Sequence, residues 1–170
     1  MPAIIQGLGV KSSFRIGILS AVPYVGALLA IVLVCRHSDR TLERRYHSAL
    51  CYLACTAGLA GIGLFSNRPA LAFTALVVAV AGPIAGNNVF WTMPPMLLAG
   101  TAAAGGIALI NSIGNLSGWG GPTVVGWLED LTGKTSTGLY VVAGLEAIAA
   151  ILILLFMPRS RPRFPQRRGC

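Results

Sequence analysis

From Pro69 to Leu128 the chain runs for 60 residues without a lysine, arginine, aspartate or glutamate. A soluble fold cannot carry such a stretch, because its surface segments need ionisable side chains every few residues. The rest of the sequence repeats the pattern: 20 uncharged residues separate Arg15 from Arg36, and 22 separate Arg45 from Arg68. After Lys134 a further 24 residues reach Pro158 with only Glu146 among them. Charged residues make up 11% of the 170, against about 25% in soluble domains. With 55% hydrophobic residues the chain is too apolar for disorder, and four cysteines are too few for a disulfide scaffold. The composition predicts an integral membrane protein.

A hydrocarbon core of about 30 Å needs about 20 helical residues. The two shorter runs therefore hold one crossing each, the run of 60 holds two with a turn, and the last run holds one. The turn in the long run is marked by Pro94, Pro95, Gly100 and Thr101, since proline removes a donor and clashes with the preceding turn. The fold class expected is an all-α membrane protein of five transmembrane helices, at about 16–35, 47–66, 70–97, 102–128 and 137–157. Together these make one partial bundle over 1–158, followed by a basic, disordered tail at 159–170 in which Pro162 and Pro165 follow Pro158.

Nine arginines flank the helices on one side: Arg36, Arg40, Arg44 and Arg45 after the first helix, and five in the tail. The other side holds Lys11, Arg15, Arg68 and Lys134. The positive-inside bias puts the tail in the cytoplasm and the amino terminus outside. An outside start without a signal peptide is an awkward topology for five crossings and points to something missing upstream. Anionic headgroups account for the net charge of +8 better than nucleic acid does.

Polar residues inside the spans are the candidates for function. In the fourth helix Ala104, Asn111, Asn115, Gly118 and Pro122 share one face, with Leu109, Ile113 and Leu116 opposite. Gly114 and Gly118 form a small-xxx-small pair that lets a neighbouring backbone approach. The two amides either glue helices together or face a water-filled path and bind substrate. In the third helix Pro83, Asn87, Trp91 and Pro94 lie on one stripe with Asn88 beside it, as expected of a bent helix lining a cavity. Trp91 fits equally well as an interfacial anchor. In the first helix, Pro23 and Tyr24 fit either a kink with an inward hydroxyl or simple packing. Glu146 stands alone within the last helix, as a proton carrier, an ion site, or a protonated group bonded to backbone.

Enzyme signatures are absent. His37 and His47 lack zinc spacing, Cys51 and Cys55 read as small core residues, and Cys170 sits in no prenylation box. No cofactor and no metal are expected. The segment CRHSDRTLERR, Cys35–Arg45, places acidic residues among basic ones between two helices, so that Asp39 can accept from Arg44 or from a helix amino terminus. A solvated charged loop is the bland alternative.

Four stretches together carry a resemblance: IGILSAVPYVGALLAIVLVCRHSDRTLERR, the FW-x-MPP element at Phe90–Pro95, the run from Gly100 to Pro122, and VGWLEDLTGK after it. The chain resembles the major facilitator superfamily, and within it the anion:cation symporter group of tartrate, phthalate and sugar-acid permeases. The resemblance implies that the five helices correspond to the eighth through twelfth of a twelve-helix transporter. It implies that Asp39, Arg40, Arg44 and Arg45 form the carboxyl-half copy of the superfamily's cytoplasmic signature loop, where glycine usually stands at the positions of Cys35 and Leu42. The helices holding Pro23, Asn87 and Asn111 would face the central cavity, with the second and fifth peripheral.

The function so implied is cation-coupled symport of small organic anions across the inner or plasma membrane, with a proton or sodium as the coupling ion. Asn87, Asn88, Trp91, Asn111, Asn115 and Tyr24 would contact substrate. The amino half and seventh helix, with their coupling carboxylates and anion-binding basic residue, have no counterpart here, so the chain is expected to be inactive alone. A small membrane interaction protein, associating with itself or with a full-length permease, is the alternative.

Overall fold

The computed structural model describes residues 5, 12–98 and 100–157, and every element among them is helical. The tail expected at 159–170 lies outside these residues. The elements are α1 (Ser13–Thr41), α2 (Arg44–Leu64), α3 (Pro69–Phe90), the single turn α4 (Pro94–Leu97), α5 (Gly100–Thr132) and α6 (Thr135–Phe156). Four stretches are long and apolar enough to cross a membrane: Ser13–Thr41, Arg44–Leu64, Pro69–Leu97 and Ser136–Phe156. At 33 residues α5 is also long enough, but with two asparagines and many glycines it is not among these four.

The breaks follow from backbone chemistry. Pro69 opens α3 at a position where its missing N–H costs nothing. That helix ends at Phe90 rather than running on to 97 as expected, because Pro94 and Pro95 lack donors and crowd the turn before them. Gly100 and Gly133, with φ of 60° and 65°, bracket α5 in the left-handed conformation that glycine adopts most readily. The largest departure from expectation is at the charged segment. α1 continues six residues past position 35 to Thr41, since nothing in Arg36–Arg40 breaks a helix. Only Leu42 and Glu43 separate it from α2, so the expected loop is a two-residue turn. Leu42 makes it with a φ of 57°. Thr41 Oγ1 closes the last turn by donating to the His37 carbonyl at 2.9 Å.

α2 is the centre of the packing, with α3 on one side and α6 on another. Its buried face runs Ser48, Cys51, Cys55, Gly58, Ile62, the three-and-four spacing of one helical stripe. A Cβ on Gly58 would lie 2.5 Å from the Ala79 backbone nitrogen, and one on Gly82 would lie 2.5 Å from the Cys51 carbonyl oxygen. The two backbones therefore meet through glycine from both sides, which in a bilayer replaces the missing hydrophobic drive with close van der Waals contact. Hydroxyls tie the remaining contacts: Ser48 Oγ donates to the Gly86 carbonyl at 3.1 Å, and Thr56 Oγ1 to the Ala143 carbonyl of α6 at 3.2 Å. α1 packs mainly on α3, with Pro23 fully buried.

α5 is different. Its ends touch neighbours, with Gly106 beside Leu98 and Val125 beside Gly138. Between them every residue from 111 to 119 is exposed. The close-approach role expected of Gly114 and Gly118 falls instead to Gly58, Gly82 and Gly86, because nothing lies within 4 Å of a Cβ at either α5 position.

Candidate substrate-facing surface

Pro83 and Asn87 are one helical turn apart on α3 and point to the same side. With Ile84 and the Tyr52 ring of α2 they line an open cavity of 340 Å³. Tyr52 also packs against the cluster formed by Ala49 of its own helix with Met93, Ala150 and Ile153. Its ring lies 3.6 Å from where a Gly86 Cβ would be, so a glycine one turn before Phe90 makes room for it. The cavity thus offers one amide with two donors and an acceptor, one phenol, and an apolar wall. Such a set can hydrogen-bond hydroxyl and carboxylate oxygens and carries no charge of its own.

The other expected site residues are scattered. Asn88 is exposed, and its Nδ2 donates back to the Ile84 carbonyl at 2.8 Å. Trp91 is half-buried and meets Phe90 edge-on, with ring centroids 5.8 Å apart. Tyr24 is exposed on α1. Asn111 and Asn115 are exposed in the uncovered middle of α5, so these residues do not gather with Asn87 into one pocket. Tyr52 was missed from sequence because α2 read as a packing helix. Its spacing of four from Thr56, which puts two hydroxyls on one face, was the available signal.

At the α1–α2 turn Arg44 Nη2 contacts Asp39 Oδ1 at 3.2 Å. The Asp39 side chain is 66% exposed, so this pair contributes about 0–1 kcal/mol. Arg40 is exposed in the last turn of α1, where a cation complements the helix dipole. Arg45 acts over a longer reach: its Nη2 donates to the Leu154 carbonyl in the last turn of α6, and its guanidinium lies 5.5 Å from the Tyr46 ring centroid. Basic side chains from the start of α2 therefore hold one neighbouring helix end by charge and another by capping.

Glu146 is half-buried on α6, beside Tyr52 and Cys55 of α2. Its Oε2 is buried and has no hydrogen-bond partner among the described residues. Cys51 and Cys55 are both buried in the α2–α3 contact, where their small side chains face Gly82 and Gly86.

Several known transporters are similar to this chain in sequence. A protein of Agrobacterium vitis named as a tartrate transporter is 44% identical over 167 residues, 98% of this chain and 36% of that protein. The inner membrane transport protein RhmT of Escherichia coli is 40% identical over 86% of the chain, and a quinolone resistance transporter of Acinetobacter baumannii 37% identical over 89%. The chain spans about a third of the length of each of these relatives. No family model and no solved structure matches it.

Proposed function

We propose that this chain, a homologue of the major facilitator permeases and a multi-pass membrane protein, is the carboxyl-terminal part of a cation-coupled symporter for small organic anions. Its five long helices would be the last five of twelve, in an inner or plasma membrane, with the carboxyl terminus in the cytoplasm. The observation that carries the reading is the cavity where Asn87 and Tyr52 meet beside Pro83. A proline-bearing transmembrane helix lining an open cavity that holds a few polar groups is where such proteins place substrate. A tartrate-like or sugar-acid substrate presents hydroxyl and carboxylate oxygens, which Asn87 and Tyr52 would bind. Asn88, Trp91, Asn111, Asn115 and Tyr24 would join them once a second wall stands opposite.

No intramembrane cation lies on this surface to offset the anion, and alternating access needs two bundles that rock about a midplane site. Membrane vesicles holding only this chain should therefore show background uptake of labelled tartrate, and saturable uptake would overturn that part of the reading. When the chain is joined to the remaining helices of the Agrobacterium relative, Asn87→Ala and Asn111→Ala should each raise the apparent KM for tartrate about tenfold, the loss of one hydrogen bond to a charged group. An unchanged KM in both variants would remove the amides from the site.

The bare middle of α5 favours one second reading, a small membrane interaction protein that pairs with itself or with a full-length permease. Cross-linking from a cysteine at Asn115 distinguishes the two, since only the second reading expects adducts with a partner when this chain is expressed alone.

A further inference from the structure

α1 and α2 are joined by two residues yet scarcely touch, because each leans instead on α3. The result is a wedge of 310 Å³ with α3 as its floor. Small side chains line all three sides: Ala30 on α1, Ala54 on α2, and Ala81, Gly82 and Ala85 on α3. No polar surface opens into it, and His47 stands among the lining residues. We propose that this wedge binds one acyl chain of an anionic phospholipid, with the phosphate held at the α1–α2 turn.

The dimensions favour an extended chain over a protein segment. A helix about 10 Å across would use up the wedge in about 4 Å of its length, less than one turn. An acyl chain is thin enough to run along a groove lined by alanines together with Val34, Leu50 and Val78. The charge at the turn selects the headgroup. Arg36 and Arg40 are exposed on the last turns of α1. Arg44 and Arg45 open α2. Against these stand Asp39, paired with Arg44, and Glu43, so positive charge is in excess where the phosphate would lie. An anionic lipid gains about 1 kcal/mol per basic residue near the surface, which a zwitterionic one does not.

The test is native mass spectrometry of the delipidated 170-residue chain in detergent, offered equal amounts of dioleoyl phosphatidylglycerol and dioleoyl phosphatidylcholine. The expected result is one retained phosphatidylglycerol per chain, preferred about fivefold, the equivalent of about 1 kcal/mol. Ala81→Trp fills the wedge and should abolish retention of both lipids. Ala54→Leu narrows it from another wall and should reduce retention if the tryptophan variant fails to fold. The double variant Arg36→Gln, Arg40→Gln should keep one lipid but lose the preference. Equal retention of the two lipids, or retention unchanged by both wedge variants, overturns the proposal. So does dimerisation of the chain that either wedge variant abolishes, which would identify a second copy as the occupant.

Discussion

Gly58 of α2 lies so close to Ala79 of α3 that a single added carbon would sit 2.5 Å from the Ala79 nitrogen. The crossing of these two helices sets the whole bundle, because α1 reaches it through α3 and α6 through α2. Gly58→Ala should therefore cost about 1–3 kcal/mol as an overpacked contact against backbone that cannot rotate away. Gly114→Ala and Gly118→Ala meet open space and should leave stability unchanged or slightly higher. Thermal melts followed by circular dichroism in a mild detergent would compare the three.

These glycines show what the sequence made legible and what it did not. The spacing of charges located five long helices because hydrocarbon excludes ions whatever the tertiary fold. Pro94, Pro95, Gly100 and Gly133 marked their own breaks. Which small-residue face would be used could not be read, since Gly82–Gly86 and Gly114–Gly118 have the same spacing and differ only in what lies opposite. Tyr52 was hidden for the same reason, as its access to the cavity depends on Gly86 of another helix. The turn between α1 and α2 was expected but drawn too long, because nothing in the charged run Arg36–Arg40 shows from sequence that it stays helical.

Leu42 holds a φ of 57° without being glycine, which costs about 1–2 kcal/mol of backbone strain. Glycine would remove that strain at an entropic cost of about 0.5–1 kcal/mol. Leu42→Gly should thus raise stability by about 0.5–1 kcal/mol, while Leu42→Val, branched at Cβ, should lower it. The same melting experiment reads both directions.

Arg45 donates to the Leu154 carbonyl, one of the last-turn carbonyls of α6 that lack a partner in their own helix. Arg45→Ala should release it at a cost of about 1.5–3 kcal/mol, as expected for a charged donor. The loss should be local. Hydrogen exchange in the last turn of α6 should accelerate, with α3 unchanged.

Glu146 keeps one buried carboxyl oxygen without a partner among the described residues. Replacing it with Met, which fills similar space without a polar atom, should stabilise the chain by about 1–3 kcal/mol, and Gln should fall between the two. Denaturation midpoints in mixed micelles test this. A loss of stability in both variants would show that the carboxyl has a partner in the membrane.

The uncovered middle of α5 bears on how such a protein is made. Transmembrane segments enter the bilayer as separate rods before they associate. Four of the long helices here can then close on one another, while the fifth, tethered only near its tips, stays wetted by lipid along its asparagines. That rod keeps one face open, and whatever comes to lie along it meets the amides of Asn111 and Asn115.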